Sequence, residues 1–216
     1  MKRLIIYDLD GTLVDTLTDI TQAVNHMLRQ MGSPELSAQE IRRYIGSGIH
    51  ELIRRCLKTE DPQDIERGEA IYSTYYAQHF LDQSCLYPGA AAALQHFRTR
   101  YQAVVTNKPN PYSREILTAL GVAGHFLDIV AGDSEFPRKP DPASMLAIVQ
   151  KVGTTPQDTL LIGDSPIDVE AGRNAGILTV GVLHGFSDAD ELAAAGVEMM
   201  VRDFDELLEQ AKRRAW

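Results

Sequence analysis

The chain has 216 residues, of which 44% are hydrophobic and 24% are charged, and its formal net charge at pH 7 is −9. A chain of this length can form a well-packed domain together with a smaller second one. The acidic balance argues against nucleic acids and anionic membrane surfaces as partners, because these carry negative charge themselves. A site for an anion must therefore be local, built from a metal ion, a lysine and backbone N–H groups.

Two cysteines, Cys56 and Cys85, are present. They form neither a disulfide framework nor a metal-ligand pattern, and we expect both to be buried and reduced. No apolar run approaches the length of a membrane span. The apolar stretch after Lys2 and Arg3 ends at Asp8, too early for a signal peptide. These features predict a reducing, cytoplasmic setting.

An apolar run from Leu4 to Tyr7 leads directly into two acids, Asp8 and Asp10. The run predicts a buried strand, and because side chains alternate along a strand, both acids lean to the same side at its end. Gly11 allows a sharp turn there, since it has no Cβ. Two acids at one edge can bind a divalent metal ion or divide nucleophile and general-acid roles. A strand end with solvated acids is the plainer alternative.

Residues 16–84 are predicted to be helical, with no strong strand. Helices are expected at 19–31, from a capping box at 37–40, at 48–57 and at 62–81, and Pro88-Gly89 then breaks the pattern. Beyond it, β-rich runs at 102–106, 127–131, 159–162, 178–182 and 198–201 alternate with helical segments at 90–98, 112–120, 142–152, 167–175, 188–194 and 204–214. This alternation predicts an α/β fold with a parallel sheet and helices on both faces.

Three further polar clusters occur at or just after predicted strands. They are Thr106-Asn107-Lys108, the run from Arg138 to Pro142, and the run from Gly163 to Asp168. The carboxyl ends of parallel strands share one edge of a sheet, where such sheets bind ligands. All four clusters are therefore expected to converge there, beneath the helical segment inserted after the first strand.

Together these motifs resemble the haloacid dehalogenase superfamily of phosphohydrolases, in particular its phosphoglycolate phosphatase-like branch. The sequence YDLDGTLVD at 7–15 matches the family's first motif in full. Thr106 with Asn107 fits the second motif, Lys139-Pro140 the third and GDSPIDVEAGRNAG at 163–176 the fourth. The resemblance implies a Rossmann-like α/β core, residues 1–15 and 85–216, with an inserted α-helical cap, residues 16–84.

The resemblance also implies an activity. It is that of a Mg²⁺-dependent phosphatase acting on a small phosphorylated metabolite, with phosphoglycolate as the leading candidate, through an aspartyl-phosphate intermediate. Asp8 would be the nucleophile, and Asp10 the acid that protonates the leaving oxygen and then the base that activates water. Thr106 and Asn107 would donate hydrogen bonds to the phosphoryl group, and Lys139 would neutralise both Asp8 and the phosphate.

The same resemblance supplies a ligand set for Mg²⁺, which prefers hard oxygen ligands. Asp8, the backbone carbonyl of Asp10 and Asp164 would bind the ion, and Asp168 would bind it directly or through water. Alternatively, Asp168 is simply an acid favoured by the dipole at a helix N-terminus.

Other polar residues keep competing interpretations. Lys108 is either a second candidate for the cationic role or a solvated loop lysine. Ser165 is expected to cap the following helix, and Thr12 to hold the turn through its hydroxyl or to have a purely structural role. The arginines of the helical segment are expected to be solvated rather than to contact substrate; they are Arg42, Arg43, Arg54 and Arg55.

Three alternative functions remain open from the sequence. A sugar-phosphate mutase uses the same paired aspartates but protects the aspartyl-phosphate from water. A pyrophosphatase on the same core would release two phosphates per turnover. A binding module that keeps the fold without activity is disfavoured by the joint presence of all the motif residues. The sequence does not distinguish a monomer from a homodimer.

Overall fold

The computed structural model describes residues 1–216. Its strands are β1 (Leu4–Tyr7), β2 (Val14–Asp15), β3 (Cys85–Leu86), β4 (Tyr101–Val105), β5 (Asp128–Val130), β6 (Thr159–Gly163), β7 (Leu178–Val182) and β8 (Met199–Val201). Its α-helices are α1 (Leu17–Gln30), α2 (Ala38–Arg42), α3 (Ile49–Leu57), α4 (Pro62–His79), α5 (Ala90–His96), α6 (Tyr112–Ala119), α7 (Ala143–Lys151), α8 (Pro166–Ala175), α9 (Ala189–Ala195) and α10 (Phe204–Arg214). Two 3-10 turns lie at Ala123–His125 and Pro156–Asp158.

The main sheet has six strands in the order β5-β4-β1-β6-β7-β8, and every neighbouring pair is parallel. The first strand is central, with Tyr7 level with Val104 on one side and with Ile162 on the other. Because all strands run in the same direction, their carboxyl ends lie along one edge. The segments that follow β1, β4 and β6 therefore start side by side.

Helices cover both faces of the sheet, and the alternation of side chains along β1 divides the core between them. Ile5 and Tyr7 pack in one cluster with residues of α5, α6 and α10. Leu4 and Ile6 pack in the other with residues of α7 and α8. All four side chains are fully buried, which explains why this strand is a continuous apolar run. The predicted α/β fold with a parallel sheet is confirmed.

Helices α1 to α4 form a separate cluster, called here the helical insert (residues 16–84). Their apolar faces pack on one another, with Val24, Met27, Leu52 and Tyr72 among the buried residues. A structural reason for the close packing is Gly68 on α4: a Cβ there would lie 2.7 Å from a methyl group of Ile53. Glycine therefore allows α3 and α4 to approach each other.

The chain enters and leaves the insert through a two-stranded antiparallel sheet, formed by β2 and β3. In this sheet Asp15 is level with Cys85. The buried Asp19 carboxylate reinforces this junction, because it accepts hydrogen bonds from the N–H groups of Gln83 and Ser84 and from the Ser84 hydroxyl, at 2.7–3.1 Å. Sequence patterns did not predict this sheet, since two residues per strand are too few for a periodic signal.

Two further observations complete the fold. Cys56 is buried, as expected, and burial raises the pKa of its thiol to about 12. Cys85 is exposed, so the expectation of two buried thiols is wrong for this residue, which lies on a short surface strand. Every helix is too short or too polar to span a lipid bilayer.

Candidate active site

The four polar clusters of the sequence meet at the carboxyl edge of the sheet. Asp8 follows β1, Thr106 follows β4, and Asp164 follows β6. Lys139 comes from the loop between β5 and α7. All four residues are buried, so their charges and hydrogen-bonding groups must be satisfied by one another or by a ligand.

Lys139 lies between two carboxylates. Its Nζ is 2.9 Å from Oδ1 of Asp8 and 2.7 Å from Oδ1 of Asp168. Burial alone would lower the pKa of this lysine, but the charges of Asp168 and Asp8 outweigh that effect and raise its pKa above the ordinary value. Lys139 is therefore a fixed positive charge, and it is held against the side chain of Asp8.

Three buried carboxylates lie close together here, and two of them, Asp8 and Asp168, contact Lys139. Asp8, Asp164 and Asp168 each offer an oxygen within 4.8 Å of the other two. Burial raises the pKa of Asp8 to about 6, the charge of Asp168 adds to the increase, and Lys139 opposes it. Burial, and then the charges of Asp168 and Asp8, raise the pKa of Asp164 well above its usual range. One lysine leaves excess negative charge, and this set of hard oxygen donors could hold a divalent metal ion.

Asp164 is held by two loops. Its Oδ1 accepts a hydrogen bond from the Thr12 hydroxyl at 2.6 Å, and its Oδ2 accepts one from the N–H of Phe186 at 2.7 Å. Gly185 permits this approach: a Cβ on it would lie 2.2 Å from Cβ of Asp164 and 2.4 Å from the carbonyl oxygen of Gly11. The expected turn-holding role of Thr12 thus extends to orienting an acid of the site.

Asp168 is an acid in the first turn of a helix, as one of its two interpretations predicted. Ser165 is the N-cap of α8, as expected, and Asp168 completes a capping box with it. Oδ2 of Asp168 accepts the Ser165 hydroxyl at 2.6 Å, while its Oδ1 faces Lys139. The helix N-terminus thereby fixes an acid that faces the cationic centre.

Asp10 stands beside a second lysine. Its Oδ1 accepts hydrogen bonds from Oγ1 of Thr16 at 2.7 Å and from Nζ of Lys108 at 3.0 Å. Lys108 is buried, so its interpretation as a solvated loop lysine is wrong. The reason is a tight turn after β4, in which the N–H of Lys108 donates to Oγ1 of Thr106 and the chain folds back toward the site.

Asn107 contacts the main chain rather than an open position. Its Nδ2 donates to the carbonyl oxygens of Gly46 at 2.9 Å and Lys139 at 3.0 Å, and its Oδ1 accepts the N–H of Lys139 at 2.9 Å. The expectation that its side chain donates to a phosphoryl group is therefore not met in this structure. Asn107 instead joins the Lys139 backbone to the helical insert.

Three of the four arginines of the insert form contacts that the sequence did not predict, whereas Arg43 is exposed, as expected. Arg42 donates from Nε and one terminal nitrogen to the carbonyl oxygens of Phe186 and Gly185, at 2.5 and 2.6 Å. Arg54 and Arg55 both pair with Glu51. Arg42 was expected to be solvated, and this expectation is wrong. Its partners are main-chain carbonyl groups of the loop after β7, and no sequence pattern marks such groups as partners of an arginine.

Comparisons with known proteins agree with this geometry. The family model described as haloacid dehalogenase-like hydrolase matches residues 5–182. A phosphoglycolate phosphatase of Pseudomonas putida is 33% identical over 96% of this chain and 79% of its own length. One of Vibrio parahaemolyticus is 32% identical over 96% of this chain and 95% of its own length.

Solved structures share this fold. A predicted phosphoglycolate phosphatase from Haemophilus somnus superposes with a TM-score of 0.91 at 29% identity, over 97% of this chain and 98% of its own. Fold and site thus define a hydrolase with a Rossmann-like α/β fold, whose polar groups lie at the carboxyl edge of a parallel sheet. The chain belongs to the haloacid dehalogenase-like hydrolase family. It is an enzyme of the phosphatase type.

Proposed function

We propose that this protein is a Mg²⁺-dependent phosphomonoesterase whose leading substrate is phosphoglycolate. The observation that carries the proposal is the placement of Lys139 against Asp8, beside two further buried carboxylates. The substrate is suggested by the relatives, which are named phosphoglycolate phosphatases and match nearly all of this chain.

Asp8 is the proposed nucleophile. Its Oδ1 accepts hydrogen bonds from the N–H of Leu9 at 2.7 Å and from Nζ of Lys139 at 2.9 Å. These two contacts fix the orientation of the carboxylate before substrate arrives, which favours in-line attack on phosphorus. The attack forms the aspartyl-phosphate and releases the leaving oxygen, while Lys139 offsets the charge of the transferring phosphoryl group.

Asp10 is the proposed proton carrier. Its carboxyl gives a proton to the leaving oxygen in the first step and takes one from the attacking water in the second. Thr16 and Lys108 hold this carboxyl in place through Oδ1. Thr106 contributes its hydroxyl to phosphoryl binding, whereas Asn107 supports the site by tying Lys139 to the insert.

The donor set fits Mg²⁺, because it offers several carboxylate oxygens with an excess of negative charge. In this proposal Asp8, Asp164 and the main-chain carbonyl of Asp10 hold the ion, and Asp168 acts directly or through water. When bound, Mg²⁺ supplies charge neutralisation on the phosphoryl oxygens.

We further propose that residues 1–15 and 85–216 form the catalytic core and that the helical insert acts as its cap. Support comes from a cavity between them, which Asp8 and Asp10 line from one side and Ile45, Gly46 and Tyr76 from the other. Such a cap excludes water and contacts the leaving group. A reducing, cytoplasmic setting fits the two unpaired thiols.

The test is release of inorganic phosphate with Mg²⁺ and with EDTA, across phosphoglycolate, sugar phosphates, nucleotides and pyrophosphate. Asp8→Asn keeps the size of the side chain and removes its nucleophilic charge, and Asp190→Asn on the exposed start of α9 is the matched control. We expect Mg²⁺-dependent release that Asp8→Asn abolishes and Asp190→Asn preserves. Isomer formation without net phosphate would indicate a mutase, and two phosphates per turnover a pyrophosphatase.

A further inference from the structure

A small cavity lies directly above the paired aspartates, between the core and the helical insert. Its volume is about 50 Å³, which is room for roughly four water-sized positions. Its walls include Ile45, Ile49, Leu52 and Tyr72. A leaving group in this cavity must be short, and most of its surroundings are apolar.

Lys108 is the single cationic side chain among the residues that line this cavity. Its Nζ contacts both oxygens of Asp10, at 3.0 and 3.3 Å, and the hydroxyl oxygen of Tyr76 at 2.7 Å. Only 5% of its side chain is exposed. Asp10 pairs with this ammonium, and because little water screens the site, Lys108 also attracts a further anionic group placed within reach of its Nζ.

Tyr76 provides the second half of an anion-binding pair. Its oxygen accepts the hydrogen bond from Lys108, so its own O–H can donate to an anion. Burial raises the pKa of Tyr76 well above its usual range, so this group stays protonated. One residue from the core and one from the insert therefore face the same small space.

The arginines of the insert are a competing location. Arg42, Arg43 and Arg55 line a second cavity, of about 240 Å³, which Asp8, Asp10 and Asp164 also line. Arg42 binds main-chain carbonyl groups and Arg55 pairs with Glu51, just as Lys108 pairs with Asp10, so position rather than free donors distinguishes them. Lys108, in contrast, contacts the acid that would protonate the leaving oxygen, so it stands where the leaving group must be.

We propose that Lys108, together with the hydroxyl of Tyr76, is the specificity determinant of this site and binds a carboxylate on a short leaving group. This inference rests on the proposed phosphatase function and deepens it. The preferred substrates are then phosphomonoesters of small hydroxy acids, in which one or two carbons separate the ester oxygen from the carboxylate. Neutral or bulky leaving groups lack a partner for Lys108 or exceed the cavity.

The test compares phosphoglycolate with ethyl phosphate, which has the same two-carbon chain without a carboxylate. The variants are Lys108→Met and Tyr76→Phe, with Lys151→Met, whose lysine is exposed on α7, as the control. We expect Lys108→Met to reduce kcat/KM for phosphoglycolate about 10–100-fold more than for ethyl phosphate, mainly through KM. Tyr76→Phe should act in the same direction with a smaller effect, and Lys151→Met should leave the preference unchanged.

A binding measurement separates recognition from chemistry. Calorimetry uses Asp8→Asn as the reference and compares it with the double variants that also carry Tyr76→Phe or Lys108→Met. Relative to Asp8→Asn, the double variants should bind phosphoglycolate more weakly and ethyl phosphate equally well. Tyr76→Phe removes a single oxygen, so it decides the question even where Lys108→Met does not fold.

Three results would overturn the inference. Equal losses for both substrates in Lys108→Met would mean that Lys108 acts through Asp10 alone. A change of preference in Arg55→Met but not in Lys108→Met would place the carboxylate in the arginine-lined cavity. Equal use of both substrates by the unaltered enzyme would show that no carboxylate is recognised. Failure of the proposed function is distinct, since it means no Mg²⁺-dependent hydrolysis of any compound.

Discussion

The hydroxyl of Thr12 donates a hydrogen bond to Oδ1 of Asp164 at 2.6 Å, across 152 positions of the chain. Thr12 belongs to the turn after β1, and Asp164 follows β6. The contact therefore couples the segment that carries the proposed nucleophile to a proposed metal ligand. Neither strand pairing nor the apolar core produces this alignment, because both residues lie beyond the ends of their strands.

Thr12→Val tests that contact. Valine keeps the shape of threonine but leaves an oxygen of a buried carboxylate without its donor, and hydrogen bonds to charged groups contribute about 1.5–3 kcal/mol. We expect Mg²⁺ affinity, measured by calorimetry, to fall about 10–100-fold with little change in secondary structure. Thr118→Val, at an exposed position of α6, is the control. Unchanged affinity in Thr12→Val would show that the hydroxyl does not orient Asp164.

Lys139→Met should destabilise the protein strongly when no metal is present. The substitution leaves the cluster of buried carboxylates without a cation, and breaking a buried pair in this way commonly costs about 3–5 kcal/mol. Chemical denaturation in EDTA measures the effect. The exposed pair of Lys151 with Asp128 offers the comparison, since Lys151→Met should cost about 0–1 kcal/mol. Similar losses in the free energy of unfolding for the two variants would show that Lys139 does not stabilise the buried carboxylates by neutralising their charge.

Gly185→Ala should disturb the site while leaving the core intact. The new methyl group would overlap the side chain of Asp164 and the carbonyl of Gly11, so the loop or the acid must move. We expect lower Mg²⁺ affinity and a lower kcat, with the far-ultraviolet circular dichroism spectrum unchanged. Gly124→Ala meets no neighbouring atom within 4 Å and serves as the control. Normal activity in Gly185→Ala would mean that the close packing around Asp164 is dispensable.

The stability of the metal-free protein should depend on pH through Asp8. Its pKa is about 6 in the folded chain, above the ordinary value of 3.8, so the folded state holds a proton that the unfolded state releases. This group therefore favours folding below about pH 4, and its contribution is lost as pH rises from about 4 to 6.

Metal binding requires the deprotonated carboxylates, so the increase in Tm on adding Mg²⁺ should be larger at pH 7.5 than at pH 5. Thermal unfolding in EDTA and in Mg²⁺ at both pH values measures this difference. In Asp8→Asn the dependence should weaken. An increase in Tm that is equal at both pH values would argue against Asp8 as a ligand.

The sequence predicted the main elements because each carries a strong local signal. The run Leu4–Tyr7 is apolar because β1 is buried on both faces, and Pro88-Gly89 marked the return from the insert. The motif residues could also be expected to converge, since parallel strands share one carboxyl edge. Ser165 was recognised as a cap because capping depends on residues only three positions apart.

Features that depend on distant neighbours were not predictable in the same way. The burial of Lys108 requires both the turn at Thr106 and the hydroxyl of Tyr76, 32 residues away. The need for glycine at position 185 becomes visible only when Asp164 and Gly11 stand beside it. Asn107 fits the family's second motif, but its side-chain geometry depends on Gly46 in the insert.

The paired strands β2 and β3 have a consequence for how such a chain can diversify. Asp15 and Cys85 are neighbours across the ladder, so the polypeptide departs from the sheet and comes back at a single point. A helical module of another size could be grafted between these two positions without altering the order of the six main strands. The recombination boundary therefore follows the β2–β3 ladder, and chimaeras joined there should keep the carboxyl edge of the sheet while exchanging the surface proposed to contact the leaving group.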